Sequence, residues 1–290
     1  MKGSSLDGKK NMNMNADMDD NMDRNIVKVL WTGGYDSSFR ICQLSKLPVK
    51  IQPYYLLGER LSTSKELEAM RNITAALKAK PDTRCIFLDL KIIPKDEWEE
   101  VSEVSAAYEE LKEKKKLGTQ YEWLGWYAYK NPGLELTVQK GGRIDALLQS
   151  YNAAKEVNDP IIGRYYVVDK DKAPQYINLI FGNYHFPIFD FTKVEMREEY
   201  IRMNCGEVID MTWFCHRPID GQACGSCPPC RFVVNEGLKD RHSKKAMRSY
   251  RIFRIKQRIR KIYKKTLLGR VLNKIKRILV GSSDEIDKVD

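Results

Sequence analysis

The chain has 290 residues, 42% of them hydrophobic and 31% charged, with a formal net charge of +11 and a mean hydropathy of −0.51. That length can bury a sizeable core, in one large domain or one domain with appendages, and no run approaches the ~20 apolar residues of a membrane-spanning helix. The basicity is uneven: residues 241–280 hold 16 Lys or Arg and no acid, residues 281–290 one Lys and four acids, and residues 1–240 hold 33 bases against 35 acids. A nearly neutral domain followed by a basic arm is therefore expected, the arm needing an explanation of its own.

Residues 1–24 are rich in Met, Asn and Asp and read as a disordered leader. They lack the apolar stretch of a secretory signal, which makes the cytoplasm the expected compartment. Ile26 to Trp31 is a short apolar run closed by glycines, the pattern of a buried parallel strand. Asp36, Ser37 and Ser38 can cap a helix carrying Phe39, Ile41 and Leu44 toward Pro48. Strands are then expected at 49–57, 85–90, 134–139 and 176–181, and helices at 64–80, 98–116, 121–129, 144–157 and 194–203. Strands alternating with helices give an α/β fold on a parallel sheet, with ligands beyond the carboxyl ends of the strands.

The stretch Trp31-Thr32-Gly33-Gly34-Tyr35-Asp36-Ser37-Ser38 is the most informative. Two glycines let the backbone bend and approach a ligand without Cβ interference. Backbone N–H groups, the Ser hydroxyls and the positive end of a helix converge there and attract phosphate. Asp36 adds a carboxylate able to hold Mg²⁺ against phosphate oxygens. It is not a Walker A loop, which requires a Lys before its Ser or Thr, nor a dinucleotide fingerprint, which requires a third glycine.

Seven Cys are present, and Cys215, Cys224, Cys227 and Cys230 crowd into sixteen positions. With no export signal, such crowding reads as metal binding. Four thiolates suit one tetrahedral Zn²⁺ per chain and leave no open position, which makes the site structural. An iron–sulfur cluster satisfies four thiolates as well, and the neighbouring His216 is a competing ligand.

The glycine turn resembles the SGGxDS signature of PP-loop ATP pyrophosphatases, with Thr32 in place of the first Ser. Together with the Cys cluster it resembles the 7-cyano-7-deazaguanine synthase family of queuosine biosynthesis. Thr212-Trp213-Phe214-Cys215, followed by Ala223 through Arg231, is similar to that family's TWSC…CGxCxxCxxR zinc loop. Pro187 through Met196 is similar to its P(L/F)xxLxKxEI segment, and Gly58-Glu59-Arg60 with Glu66 and Glu68 is a fainter echo of YGQRHxxE. The resemblance runs from about residue 26 to about residue 237 and is weak in the middle: Gly118 through Leu124 stands where the family has VPGRN, and Gly141 through Asp145 where it has YPDC.

The resemblance implies a Rossmann-like sheet of the adenine nucleotide alpha hydrolase type, with ATP and Mg²⁺ as co-substrate. A substrate oxygen, from a small carboxylate-bearing acid, would be adenylated with release of pyrophosphate, and ammonia or another nitrogen nucleophile would displace AMP. By residue it assigns the nucleotide to Trp31, Thr32, Gly33, Gly34, Tyr35, Asp36, Ser37, Ser38, Phe39, Arg40 and Ile41, with Asp36 and Ser37 as the catalytic groups, and zinc to the four Cys. A nucleobase pocket can be built from Tyr121, Trp123, Trp126 and Tyr129, which equally suit a core. Lys193 is within reach of phosphates on this reading, although a Lys opening a helix is ordinarily a surface charge. Related readings are a tRNA-modifying enzyme of the same chemistry and a nucleotide-binding regulatory protein.

The arm places Ile252, Ile255, Ile259, Ile262, Leu267, Val271, Ile275 and Ile278 at helical spacing among Lys and Arg. An anionic membrane, including the inner surface of the cell membrane, a partner protein and RNA are the three partners such a helix suits. The expected organisation is thus a leader (1–24), a PP-loop α/β domain (25–210), a four-cysteine zinc-binding lobe (211–240), a basic helical arm (241–280) and an acidic tail (281–290).

Overall fold

A computed structural model describes residues 25–266. The leader, the part of the arm from residue 267 onward and the acidic tail lie outside the described residues. The chain divides into two compact units between Phe214 and Cys215.

The first unit is an α/β fold on a parallel sheet. Strand β1 (Ile26–Leu30) pairs with β2 (Lys50–Leu57) on one side and β5 (Leu134–Glu135) on the other. Two short strands, β3 (Ile86–Phe87) and β4 (Lys91–Pro94), share the outer edge of β2, and β8 (Tyr184–His185) pairs with β5. Pro53 explains why that edge is interrupted. Ile51 gives its carbonyl to Leu88 N, so Pro53, two residues on, faces the same edge with no N–H to offer. The Gln52 side chain covers the gap by donating to the Asp89 carbonyl at 2.7 Å.

From β1 the chain builds outward through β2 to β3 and β4, then crosses back to place β5 and β8 on the opposite side. The order therefore reverses between β1 and β5. In open α/β sheets the crevice at such a point is where ligands bind.

Both sheet faces are covered, as the continuously apolar β2 requires. Against Val27, Val29, Ile51 and Tyr55 pack α1 (Tyr35–Ser45), α2 (Thr63–Lys78) and α7 (Lys193–Arg202), which supply Phe39, Ile41, Leu44, Ile73, Leu77, Met196 and Tyr200. Against Leu30, Tyr54, Leu56 and Leu134 pack α3 (Ser102–Lys114), α4 (Gln120–Lys130), α5 (Arg143–Gln149) and α6 (Gln175–Phe181). The short α8 (Val208–Met211) ends the unit.

Two expected elements are corrected. The helix anticipated at 144–157 stops at Gln149; Asn152 follows at a positive φ of 49°, a conformation that ends helices. Ala154–Asp159 instead forms β6, an antiparallel hairpin with β7 (Gly163–Val168). Its turn is held by Asp159 Oδ1, which accepts from Ile161 N at 2.8 Å and Ile162 N at 2.9 Å. The strand anticipated at 176–181 is helix α6, which begins after Pro174 and buries Tyr176, Ile177, Ile180 and Phe181 at helical spacing. A six-residue apolar run does not by itself distinguish the two.

The second unit holds the four clustered Cys, α9 (Pro228–Asn235) and α10 (Lys244–Lys265). Among the described residues no helix is long and apolar enough to cross a membrane.

Candidate metal centre and glycine-loop cavity

Cys215, Cys224, Cys227 and Cys230 are all buried, and their Sγ atoms lie within 4.8 Å of one another. Cys224–Cys230 and Cys215–Cys227 are each separated by 3.9 Å. Four thiolates at ~2.3 Å from one tetrahedral ion stand about 3.8 Å apart, so the group fits a single metal. Local backbone builds the cage. Cys227 is the N-cap of α9, Pro228 opens the helix and Cys230 sits in its first turn. The Cys224 and Cys227 amides donate to the Sγ of Cys215 and Cys224 at 3.2 and 3.3 Å, and Ser226 N donates to Cys224 Sγ at 3.4 Å, the outer hydrogen bonds that orient ligands. His216 is exposed and lies outside the group.

Gly225 ties this cage to α10. Its φ is +77°, and a Cβ there would stand 1.9 Å from the Ala246 carbonyl oxygen. The first turn of α10, capped by Ser243, is thus pressed onto the Cys loop at a point only glycine tolerates.

In the first unit, β1 leads through Trp31, Thr32, Gly33 and Gly34 into α1. Gly33 has φ +65°, and a Cβ on it would lie 2.8 Å from the Glu66 carbonyl oxygen. The expected capping by Asp36, Ser37 or Ser38 is corrected: Gly34 is the N-cap and no side chain caps the helix. Ser38 is buried and accepts the Trp31 indole N–H at 3.0 Å, while Ser37 Oγ lies 3.5 Å from both Thr32 N and Gly34 O. The loop carbonyl of Gly33 is held by Trp213 N at 2.8 Å.

This loop opens on a cavity of about 220 Å³ at the carboxyl ends of β1 and β5, where the strand order reverses. Trp31, Thr32, Gly34, Tyr35, Asp36 and Ser37 form one wall. Tyr54 and Leu56 follow from β2, Arg60 from the loop after it, Gln120, Trp123 and Leu124 from α4, and Leu136 and Thr137 from beyond β5. Of the other nucleotide candidates, Gly33 lies in the loop behind this wall. Ser38, Phe39 and Ile41 are fully buried, and Arg40 is turned to Glu135, which it grips through Nε at 2.9 Å and Nη2 at 2.7 Å. Among the four aromatics of the α4 region only Trp123 reaches the cavity, stacked at 4.5 Å on Trp98. Tyr121 packs on Phe181, Trp126 donates to Ser105 Oγ at 2.9 Å, and Tyr129 is exposed.

The fold also gives a partner to the Lys that the sequence offered as within reach of phosphates. Lys193, first residue of α7, forms an ion pair with Asp36 across 157 positions, with its ammonium 4.7 Å from the Tyr35 ring centroid. Two contacts fix it there: the Thr192–Glu195 capping box that starts α7, and the Tyr200 hydroxyl, which donates to the Tyr35 carbonyl at 2.7 Å. On the opposite rim, Arg60 donates to the Leu56 carbonyl at 2.7 Å and lies 3.5 Å from Glu66. Glu66 also accepts from Tyr55 at 2.7 Å and Ser62 at 2.6 Å. Burial, with the Glu66 carboxylate, pushes the Tyr55 phenol up to about 12, which keeps it a donor. The cavity thus combines an uncapped helix N-terminus, the Asp36 carboxylate to which Lys193 is paired, a guanidinium and the indoles of Trp31 and Trp123. No protein-family model matches this chain, and no curated protein matches it.

Proposed function

We propose that this protein is a PP-loop ligase that uses ATP and Mg²⁺ to adenylate a small carboxylic acid and passes the acyl group to ammonia or another nitrogen nucleophile. The observation that carries the reading is the position of the Thr32–Ser37 turn: Gly34 and the uncapped end of α1 line a cavity at the reversal of strand order, the geometry that receives phosphates. With β3 and β4 taken as one interrupted edge, the strands run outward from β1 on both sides as in a Rossmann-like sheet, which supports the adenine nucleotide alpha hydrolase type.

On this reading the backbone of Gly34 and the Ser37 hydroxyl cradle the pyrophosphate, and Gly33 supplies the turn that sets them there. Asp36 would be the residue to hold Mg²⁺, which would neutralise phosphate charge, and Lys193, paired with Asp36 in this structure, would be the cation for the phosphate oxygens. A carboxylate oxygen of the substrate attacks the α-phosphorus, the bond to pyrophosphate breaks, and an acyl adenylate forms. The nitrogen lone pair then attacks the acyl carbon, the C–O bond to AMP breaks, and the nitrogen loses a proton to solvent. Arg60 is the cation placed to orient the acid, and Trp123 offers a face for a planar ring. The wall holding Gln120, Trp123 and Leu124 belongs to one of the two segments that depart from the 7-cyano-7-deazaguanine synthases, which favours an acid related to theirs but shaped to a different wall.

The four-cysteine site fits a closed structural zinc. An iron–sulfur cluster, several ångströms across, would hold its thiolates farther apart than this group stands, and metal analysis is expected to find one zinc per chain. The reaction is tested by mass spectrometry with ATP, Mg²⁺, ammonium and 7-carboxy-7-deazaguanine, then other planar acids, following AMP and the nitrogen-bearing product together. AMP formed in step with an amide or nitrile, and lost in Asp36→Asn, is the expected result. A folded, zinc-loaded protein that releases no AMP with any acid overturns the ligase reading.

A further inference from the structure

Helix α10 has two faces of different chemistry. One packs on its own unit: Ala246 is buried against Gly225, the Arg231 guanidinium lies 4.6 Å over the Phe253 ring, and the Tyr250 hydroxyl donates to Asn235 at 3.3 Å. The other face carries Ile252, Ile255, Ile259 and Ile262, which recur at steps of three and four and so form one stripe. These four side chains are 53, 57, 61 and 65% exposed. Helical geometry places Lys256 and Arg260 along one border of the stripe and Arg251 and Arg258 along the other. The helix holds 11 Lys or Arg and no acid, and at 1.5 Å per residue its 22 residues extend about 33 Å.

Each alternative occupant lacks one of these features. A second copy would bring eleven like charges against eleven. A phosphate backbone accounts for the cations but leaves four Ile in water. An anionic bilayer takes both: the Ile stripe enters the boundary between headgroups and acyl chains while Lys and Arg on its borders reach the lipid phosphates. We propose that α10 is an in-plane anchor that seats the zinc-binding unit on an anionic lipid surface.

The test is co-sedimentation of the full-length, zinc-loaded protein with vesicles of phosphatidylcholine alone and of phosphatidylcholine mixed with phosphatidylglycerol. Binding is expected to the anionic vesicles, to weaken as salt rises, and to be faint on the neutral ones. Ile255→Asp with Ile259→Asp changes exposed side chains, so its zinc content and circular dichroism should match the parent while its partitioning falls by about tenfold or more. Lys256→Glu with Arg258→Glu should lower binding to the anionic vesicles and leave the weak neutral binding unchanged. The proposal is overturned if the parent ignores both kinds of vesicle, or if the Ile variant, with zinc intact, sediments as the parent does. Retention of a single-stranded RNA probe by both proteins, without vesicle binding, would assign the cations to nucleic acid instead.

Discussion

Arg40 and Glu135 are 3% and 1% exposed and meet through two hydrogen bonds, joining α1 to β5 across the position where the strand order reverses. Neither charge can be solvated if the other is removed. Glu135→Ala is therefore expected to cost about 3–5 kcal/mol in urea unfolding, and Arg40→Met combined with Glu135→Leu far less than either single change. At Gly33 the cost has another source: Gly33→Ala must hold φ +65° and force a Cβ against the Glu66 carbonyl, for about 1–3 kcal/mol of strain and a displaced loop. Lys193 bears on the chemistry. If it serves phosphate oxygens, Lys193→Ala should lower AMP formation about 100-fold, with thermal stability little changed and with Lys193→Arg recovering part of the rate. An unaltered rate would return Lys193 to the role of a surface cation.

At the scale of elements, the Cys loop and the start of α10 are one mechanical piece. A closed four-thiolate site contributes to folding directly, and Gly225 admits α10 only when the loop is in place. A chelator under reducing conditions should raise amide exchange through Cys215, α9 and the first turns of α10, while β1 and β2 keep their protection. Equal loss of protection in both regions would contradict this. Gly225→Ala should reproduce part of the effect with metal still present. The hairpin of β6 and β7 and the helix α6 show where local pattern gives out. Residues 154–159 pair with 163–168 through backbone bonds between the two strands, and α6 is defined by its burial against α3 and α4; propensity yields to both.

For the whole molecule, acid is a stress whose effect follows from groups with lowered pKa values. Burial lowers the His185 imidazole below its ordinary 6.5, with Arg40 acting in the same direction against the opposing pull of Glu135 and Asp159. The ring is also stacked on Tyr165 at 4.4 Å. The unfolded chain therefore takes up this proton first, so stability is complete above pH 6.5 and falls as pH drops through that value toward the folded pKa. Asp82, hydrogen-bonded by Lys46, and Glu195, held by Thr192, are lowered below the usual carboxylate range and extend the loss at lower pH. Melting temperature should decrease between neutrality and about pH 5.5, and His185→Phe should flatten that first segment; an unchanged slope in the variant would remove His185 as the cause.

Local chemistry was legible without coordinates. The glycine turn, the four Cys and the acid-free arm are each contiguous or closely spaced, and the strand-to-helix bend, the thiol group and the basic helix follow from backbone freedom, donor atoms and charge that neighbours in sequence already share. The strands β1 and β2 and the helices α1, α2, α4 and α7 were legible for the same reason, since each carries its own periodicity. Tertiary structure alone decided what depends on distant chain segments: the Lys193–Asp36 pair across 157 positions, the Arg40–Glu135 bond across 95, and the selection of Trp123 over its aromatic neighbours as the cavity wall. It also decided which face of α10 is covered. Periodicity marks a stripe of Ile, but only packing against the Cys loop leaves that stripe facing outward.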